Sequence, residues 1–172
     1  MRLRTLAFAF ALGASTSAVQ AAANLCASDE IAVFSCSIGL KQAALCASAD
    51  LSENKGTLYY RFGKPGAVEL SYPEANADPH KTFTIATIPP GGGDFVRFTT
   101  AGTTYSIYSL VTKRPGHFFV DGVLVSRGKK VLADLKCHAE ALGPDNWGPI
   151  YKAKLPEDTD TDLRPDGTFP AL

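Results

Sequence analysis

Asp158, Asp160 and Asp162 stand at alternate positions, a spacing that suits a calcium loop. The pattern fails at two places. Such a loop needs glycine at its sixth position and a bidentate glutamate at its twelfth, and this chain has Leu163 and Phe169 there. Gly91-Gly92-Gly93 offers a cradle for phosphate, but no Gly-Lys-Ser/Thr and no helix follows, so it reads as a corner between strands. His80, His117 and His138 are the histidines, and none sits near a Gly-x-Ser-x-Gly nucleophile motif. Cys26, Cys36, Cys46 and Cys137 contain no Cys-x-x-Cys and have no histidine at ligand spacing, which argues against zinc and redox chemistry. No metal and no cofactor is therefore expected. An enzyme would require a serine, a histidine and an acid brought together only in space.

Binding chemistry is better represented. Tyr, Trp and Arg carry most interface energy. Tyr59, Arg61, Phe95, Arg97, Tyr108 and Trp147 are the candidate binding residues. In Tyr59-Tyr60-Arg61-Phe62, strand alternation must turn one tyrosine away from the core.

The elements that position these residues are strands. Phe95–Thr100 and Thr103–Tyr108 flank Ala101-Gly102, and a two-residue loop there sets Phe98 against Tyr105 and Val96 against Ile107 as a core face. A bulge at Gly102 would shift that register by one. The opposite face then carries Phe95, Arg97 and Thr99 across from Tyr108, Ser106 and Thr104, arranged to meet solvent or a partner. Further strands are expected at Glu30–Ile38, Gln42–Ala47, Thr57–Gly63, Ala67–Tyr72, Lys81–Ile88, His117–Ser126 and Lys130–Cys137, with a loop over Pro73–His80. The pattern predicts an all-β fold, an antiparallel meander barrel or sandwich of about eight short strands. Trp147 and Tyr151 lie in a turn-rich stretch expected to pack back onto it.

The chain opens with Arg2 and Arg4, an apolar run from Leu6 to about Ala14, and small residues to Ala23. This is the order of a secretory signal, residues 1–21 with cleavage after Ala21 or alternatively Ala23. Cys26 follows Asn24-Leu25 rather than a small residue, so no lipid anchor is expected and the mature protein should be soluble. Localisation is expected in the periplasm or outside the cell. Residues 24–155 would form a single domain and 156–172 an acidic, loosely ordered tail. The 17 basic and 17 acidic residues of the whole chain become 15 and 17 without Arg2 and Arg4, which gives no electrostatic case for nucleic acid or an anionic membrane. Four cysteines in an exported chain read as two disulfides, with three pairings open. A hairpin around Gly39-Leu40-Lys41 favours Cys36 with Cys46, which leaves Cys26 with Cys137.

Phe34-Ser35-Cys36, Leu45-Cys46-Ala47-Ser48 and Tyr60-Arg61-Phe62-Gly63-Lys64-Pro65-Gly66, followed by Glu69-Leu70 and Tyr72, resemble a group of small exported bacterial proteins that brings no assigned activity. Phe95-Val96-Arg97-Phe98, Tyr105-Ser106-Ile107-Tyr108 and Leu135-Lys136-Cys137 extend that likeness over roughly residues 30–140. Cys36 and the closing Gly128-Lys129…Cys137 are also similar to the periplasmic C-type lysozyme inhibitors, small exported β-barrels with a first-to-last disulfide. That likeness implies Cys36 paired with Cys137. This chain is longer, has two additional cysteines, and carries Gly92-Gly93-Asp94-Phe95 where the inhibitors have Ser-Gly-x-x-Tyr, so no inhibitory residues are carried over. The expectation is a non-enzymatic exported envelope protein that binds a macromolecule such as a cell-wall hydrolase, inhibition of a peptidoglycan-cleaving enzyme being its specific form. The alternatives are a small envelope hydrolase and a structural envelope protein without a ligand.

Overall fold

A computed structural model describes residues 25–88, 92–111, 119–138 and 146–164. The expected signal sequence at residues 1–21, Gly91, His117 and residues 165–172 lie outside the described residues.

The central hairpin forms in the anticipated register. Strands β6 (Gly93–Thr100) and β7 (Thr103–Val111) pair Val96 with Ile107 and Phe98 with Tyr105. Ala101 and Gly102 both take positive φ, +47° and +72°, as a two-residue turn matched to strand twist requires. No bulge intervenes. The remaining strands are β1 (Glu30–Ile38), β2 (Lys41–Ser48), β3 (Leu58–Lys64), β4 (Ala67–Tyr72), β5 (Thr84–Thr87), β8 (Phe119–Arg127) and β9 (Lys130–Lys136). They build two antiparallel sheets, β1-β2-β3-β4 and β5-β6-β7-β8-β9, both in chain order. The protein is an all-β sandwich of two meanders. Among the described residues, no helix is long and apolar enough to cross a membrane.

Val33, Phe34, Leu45 and Tyr60 from the first sheet meet Val96, Phe98, Ile107 and Val123 from the second in one buried core. The ring of Phe98 stacks between Tyr72 at 4.3 Å and Tyr105 at 4.9 Å, with Phe83 edge-on at 5.6 Å. Contacts of this kind add about 0.5–1.5 kcal/mol each beyond the area they bury. β1 alternates only loosely in sequence because an irregularity between Ala32 and Phe34 lets Val33 and Phe34 both reach the core. β2 reads as a continuous apolar run because both of its faces are covered. Ala43, Leu45 and Ala47 face the main core, while Ala44 and Cys46 lie under Leu25.

Two expectations need correction. The segment read as a loop at Pro73–His80 ends in a single helical turn, α1 (Pro79–Thr82). The Asp78 carboxylate accepts the His80 backbone N–H at 3.0 Å, and Pro79 stands where a first-turn proline is favourable. Lys81 and Thr82 are therefore helical, and β5 is shorter than the expected Lys81–Ile88 strand.

The disulfides are Cys26–Cys46 and Cys36–Cys137, not Cys36–Cys46 and Cys26–Cys137. The tight β1–β2 hairpin sets Cys36 opposite Ala43 and Cys46 opposite Ala32. Cys36 packs into the main core and Cys46 into the small cluster beneath Leu25, so their sulfurs lie on opposite faces of the sheet. Cys137 reaches Cys36 across the edge where the two sheets meet, and the His138 N–H donates to the Ser37 carbonyl at 3.0 Å beside it. This is the first-to-last pairing implied by the likeness to the lysozyme inhibitors. Two disulfides suit a non-reducing environment.

Candidate functional site

The outer face of the second sheet presents Phe95 and Arg97 from β6, Ser106 and Tyr108 from β7, Gly122 and Leu124 from β8, and Asp134 from β9. It is covered by the chain's own residues 156–164, the described part of the stretch 156–172 expected to be a loosely ordered tail. Ile85, on edge strand β5, donates its N–H to the Pro156 carbonyl at 3.0 Å and accepts the Asp158 N–H at 2.7 Å, so Glu157 extends the sheet as a parallel bridge. The Thr84 hydroxyl donates to Asp158 at 2.8 Å.

Arg97 is the centre of the site. Its Nε donates to Ser106 at 2.9 Å, and its guanidinium lies 4.4 Å from the centre of the Phe95 ring. Nη1 reaches the Asp158 carboxylate at 3.2 Å and the Asp160 carbonyl at 3.1 Å, while Nη2 reaches the Asp162 carbonyl at 2.8 Å. The alternate aspartates serve this contact. The Asp158 carboxylate accepts the Asp160 N–H at 3.0 Å and the Asp160 carboxylate the Asp162 N–H at 3.1 Å, successive Asx turns that aim two carbonyls at one guanidinium.

Beyond this polar stretch, Leu163 is buried among Ala86, Ile88, Phe95, Tyr108, Leu110 and Leu124. Arg164 donates to Asp134 at 3.2 Å, and the other oxygen of Asp134 accepts the Tyr108 hydroxyl at 2.8 Å. Burial raises the Tyr108 phenol above its ordinary pKa, and its hydrogen bond to the Asp134 carboxylate adds to the rise. The ring lies over Gly122, where a Cβ would stand 2.4 Å from the phenol oxygen. Only glycine leaves that room.

Phe95, Arg97 and Tyr108 are thus brought together, but beneath a segment of the same chain. Phe95 and Tyr108 are fully buried, which corrects their reading as exposed binding residues. Trp147 is another correction. It is fully buried in the main core just before helix α2 (Gly148–Ala153), and its Nε1 has no hydrogen-bond partner among the described residues. Tyr59 and Arg61 lie elsewhere, on the outer face of the first sheet. Arg61 forms a two-armed ion pair with Glu30, one arm at 2.8 Å, and lies 5.1 Å from the centre of the Tyr59 ring. The Arg61 hydrogen bond holds the Glu30 carboxyl below its ordinary pKa despite partial burial. Glu30 lies beside the sulfurs of Cys26 and Cys46, whose bonding to each other removes the thiolates that a metal would need.

His80 pairs with Asp78 at 3.1 Å through Nδ1 and with the Ala153 carbonyl at 2.7 Å through Nε2. Both ring nitrogens are engaged, so neither is available to activate a nucleophile in this geometry. Sequence reasoning missed Asp134, Leu163 and Arg164 as members of the Arg97 site. The signal was Leu163, a large apolar residue closing an aspartate-rich run.

Asp121, opposite Ser109 on β7, has one carboxylate oxygen buried without a hydrogen-bond partner among the described residues. Burial raises its pKa above the ordinary 3.8, and Ser109 offsets this only in part. A raised folded-state pKa contributes stability below pH 3.8 that is lost as pH rises through the folded value. Asp121→Asn is therefore expected to be more stable than the wild type at neutral pH, with the advantage vanishing in acid. Urea denaturation across pH checks this, and an advantage independent of pH would refute it.

No protein-family model, curated protein or solved structure matches the chain.

Proposed function

We propose that the protein is an exported binding module of the cell envelope that holds a macromolecular partner on the outer surface of its sandwich and catalyses no reaction. One observation carries this reading. The face with aromatic rings around an arginine already holds an extended polypeptide, residues 156–164, by edge pairing, a charged fork and one apolar anchor. The leader sequence and the two disulfides support export to the periplasm or the medium.

Inhibition of a peptidoglycan-cleaving enzyme is the specific form of the reading that one further observation favours. The Cys36–Cys137 bond spans first and last strands as the likeness to C-type lysozyme inhibitors implies.

The test uses the mature, oxidised protein immobilised against an envelope extract, with mass spectrometry of what is retained. The expected result is retention of one cell-wall hydrolase whose clearing of a peptidoglycan suspension slows when the protein is added. Clearing of the suspension by the protein itself would establish an enzyme and overturn the proposal. Unchanged lysozyme activity at a large excess of folded protein would remove the C-type form of inhibition.

A further inference from the structure

We infer that the face beneath residues 156–164 is a recognition site for an extended acidic segment of a partner protein, with the chain's own segment as a resident competitor. The inference rests on the binding reading above and names the site and the chemistry of the partner. The ligand class is read from what the face now holds: backbone that pairs with the outer edge of β5, a carboxylate at Arg97, and a large apolar side chain, Leu163, five residues after that carboxylate.

Three observations argue that the site is built for exchange. First, Arg97 is held from below by Ser106 and Phe95, so its fork points outward whether or not residues 156–164 lie over it. An arginine oriented by its own sheet loses little freedom on binding. Second, the resident segment uses that fork weakly. The two of its carboxylates that reach the fork both approach Nη1 alone, Asp158 at 3.2 Å and Asp160 at 3.5 Å, and its other contacts are two neutral carbonyls, whereas a partner carboxylate facing the fork squarely would make two parallel charged hydrogen bonds. Third, the segment leaves an open cleft of about 270 Å3 beside it, lined by Arg97, Thr99, Thr104, Ser126, Asp160 and Asp162. The hydroxyls of Thr99 and Thr104, which hydrogen-bond each other at 2.9 Å, and that of Ser126 belong to the sheet and give the cleft a polar floor.

Charge complementarity sets where the partner must be acidic, which is at Arg97. The sheet contributes Arg97 where the resident segment is acidic and Asp134 where it carries Arg164. No cysteine lies within 156–164, so noncovalent contacts alone hold it against the face. A tethered segment competes at an effective concentration on the order of millimolar, so the site in the intact chain is open only for a fraction of the time. The apparent affinity for a partner is reduced by that fraction.

The experiment titrates full-length protein with a fluorescent synthetic peptide of the sequence 156–164, followed by anisotropy. Leu163→Ala removes the apolar anchor of the resident segment and is expected to bind the peptide at least tenfold more tightly than the wild type. Adding Arg97→Ala to Leu163→Ala is expected to abolish binding, as is scrambling the peptide. A peptide with asparagine in place of its three aspartates reads the same contact on unaltered protein and should bind at least tenfold more weakly than the parent. Absence of binding to both proteins at millimolar peptide would overturn the inference, as would affinity indifferent to the aspartates. Light scattering that shows Leu163→Ala forming dimers while excluding the peptide would overturn it too, assigning the face to a second copy of the chain. The envelope capture above reads a different outcome. If it succeeds while the peptide fails, only the site falls. If the peptide binds while capture and inhibition both fail, the envelope-partner reading falls and the site stands.

Discussion

Replacing Cys36 and Cys137 together by alanine is expected to lower the unfolding free energy by about 4–5 kcal/mol, the largest loss foreseen for any pair in this chain. The bond spans 101 residues, and the chain-entropy cost of releasing a loop of that length is about 4.7 kcal/mol. The Cys26–Cys46 bond spans 20 residues, for which the same argument gives about 3 kcal/mol. The order matters as much as the sizes. Cys36–Cys137 joins the first strand of one sheet to the end of the last strand of the other. Cys26–Cys46 only ties the segment before β1 to β2. Alanine avoids placing a hydroxyl in the core where Cys36 is buried. Urea denaturation of the two double variants under oxidising conditions measures both losses. A larger loss for Cys26/Cys46 would mean that entropy of the unfolded chain does not govern their contribution.

Trp147→Ala is expected to cost about 3–5 kcal/mol, the range for removing a large aromatic side chain from a packed core. Trp147→Phe should cost clearly less than Trp147→Ala, because much of the ring is replaced and the Nε1 it loses has no partner among the described residues. The pair of variants separates a packing residue from a binding residue. A packing role predicts that both follow the stability scale and that Trp147→Phe retains any partner bound by the wild type. If Trp147→Ala left the midpoint of unfolding unchanged while abolishing partner retention, Trp147 would act at an interface and the packing account would be wrong.

The central hairpin was legible because local rules suffice for it. Ala101-Gly102 supplies the turn, and the two flanking runs then have one register that places Val96, Phe98, Tyr105 and Ile107 together. The meander was legible for a similar reason, since each strand pairs with its neighbour in the chain. The helical turn at Pro79–Thr82 was also written locally, in Asp78-Pro79, but it was hidden behind the alternation of the strand that follows.

The candidate site was legible only in its lower half. Phe95, Arg97, Ser106 and Tyr108 could be grouped on one face by counting in twos. What covers them could not be grouped this way, because Arg97 and Asp158 are 61 residues apart and no periodicity connects them. The acidity of residues 156–172 suggested a loosely held tail. In the structure the acidic groups fold back on their own backbone and present carbonyls to a cation, and Leu163 anchors the segment in an apolar cluster.

The sequence by itself determined the strands, their order, the central turn and the residues of one arginine-centred face, all properties of local spacing and of pairing between neighbours. Tertiary structure alone decided the disulfide partners and the occupant of that face. Cys36 and Cys46 lie close in the chain yet point to opposite sides of a sheet, while Cys137 and residues 156–164 reach their partners only when two sheets pack and the chain end returns across them. Side-chain direction follows from the pleat, but which distant surface meets it is settled by the burial of the whole core.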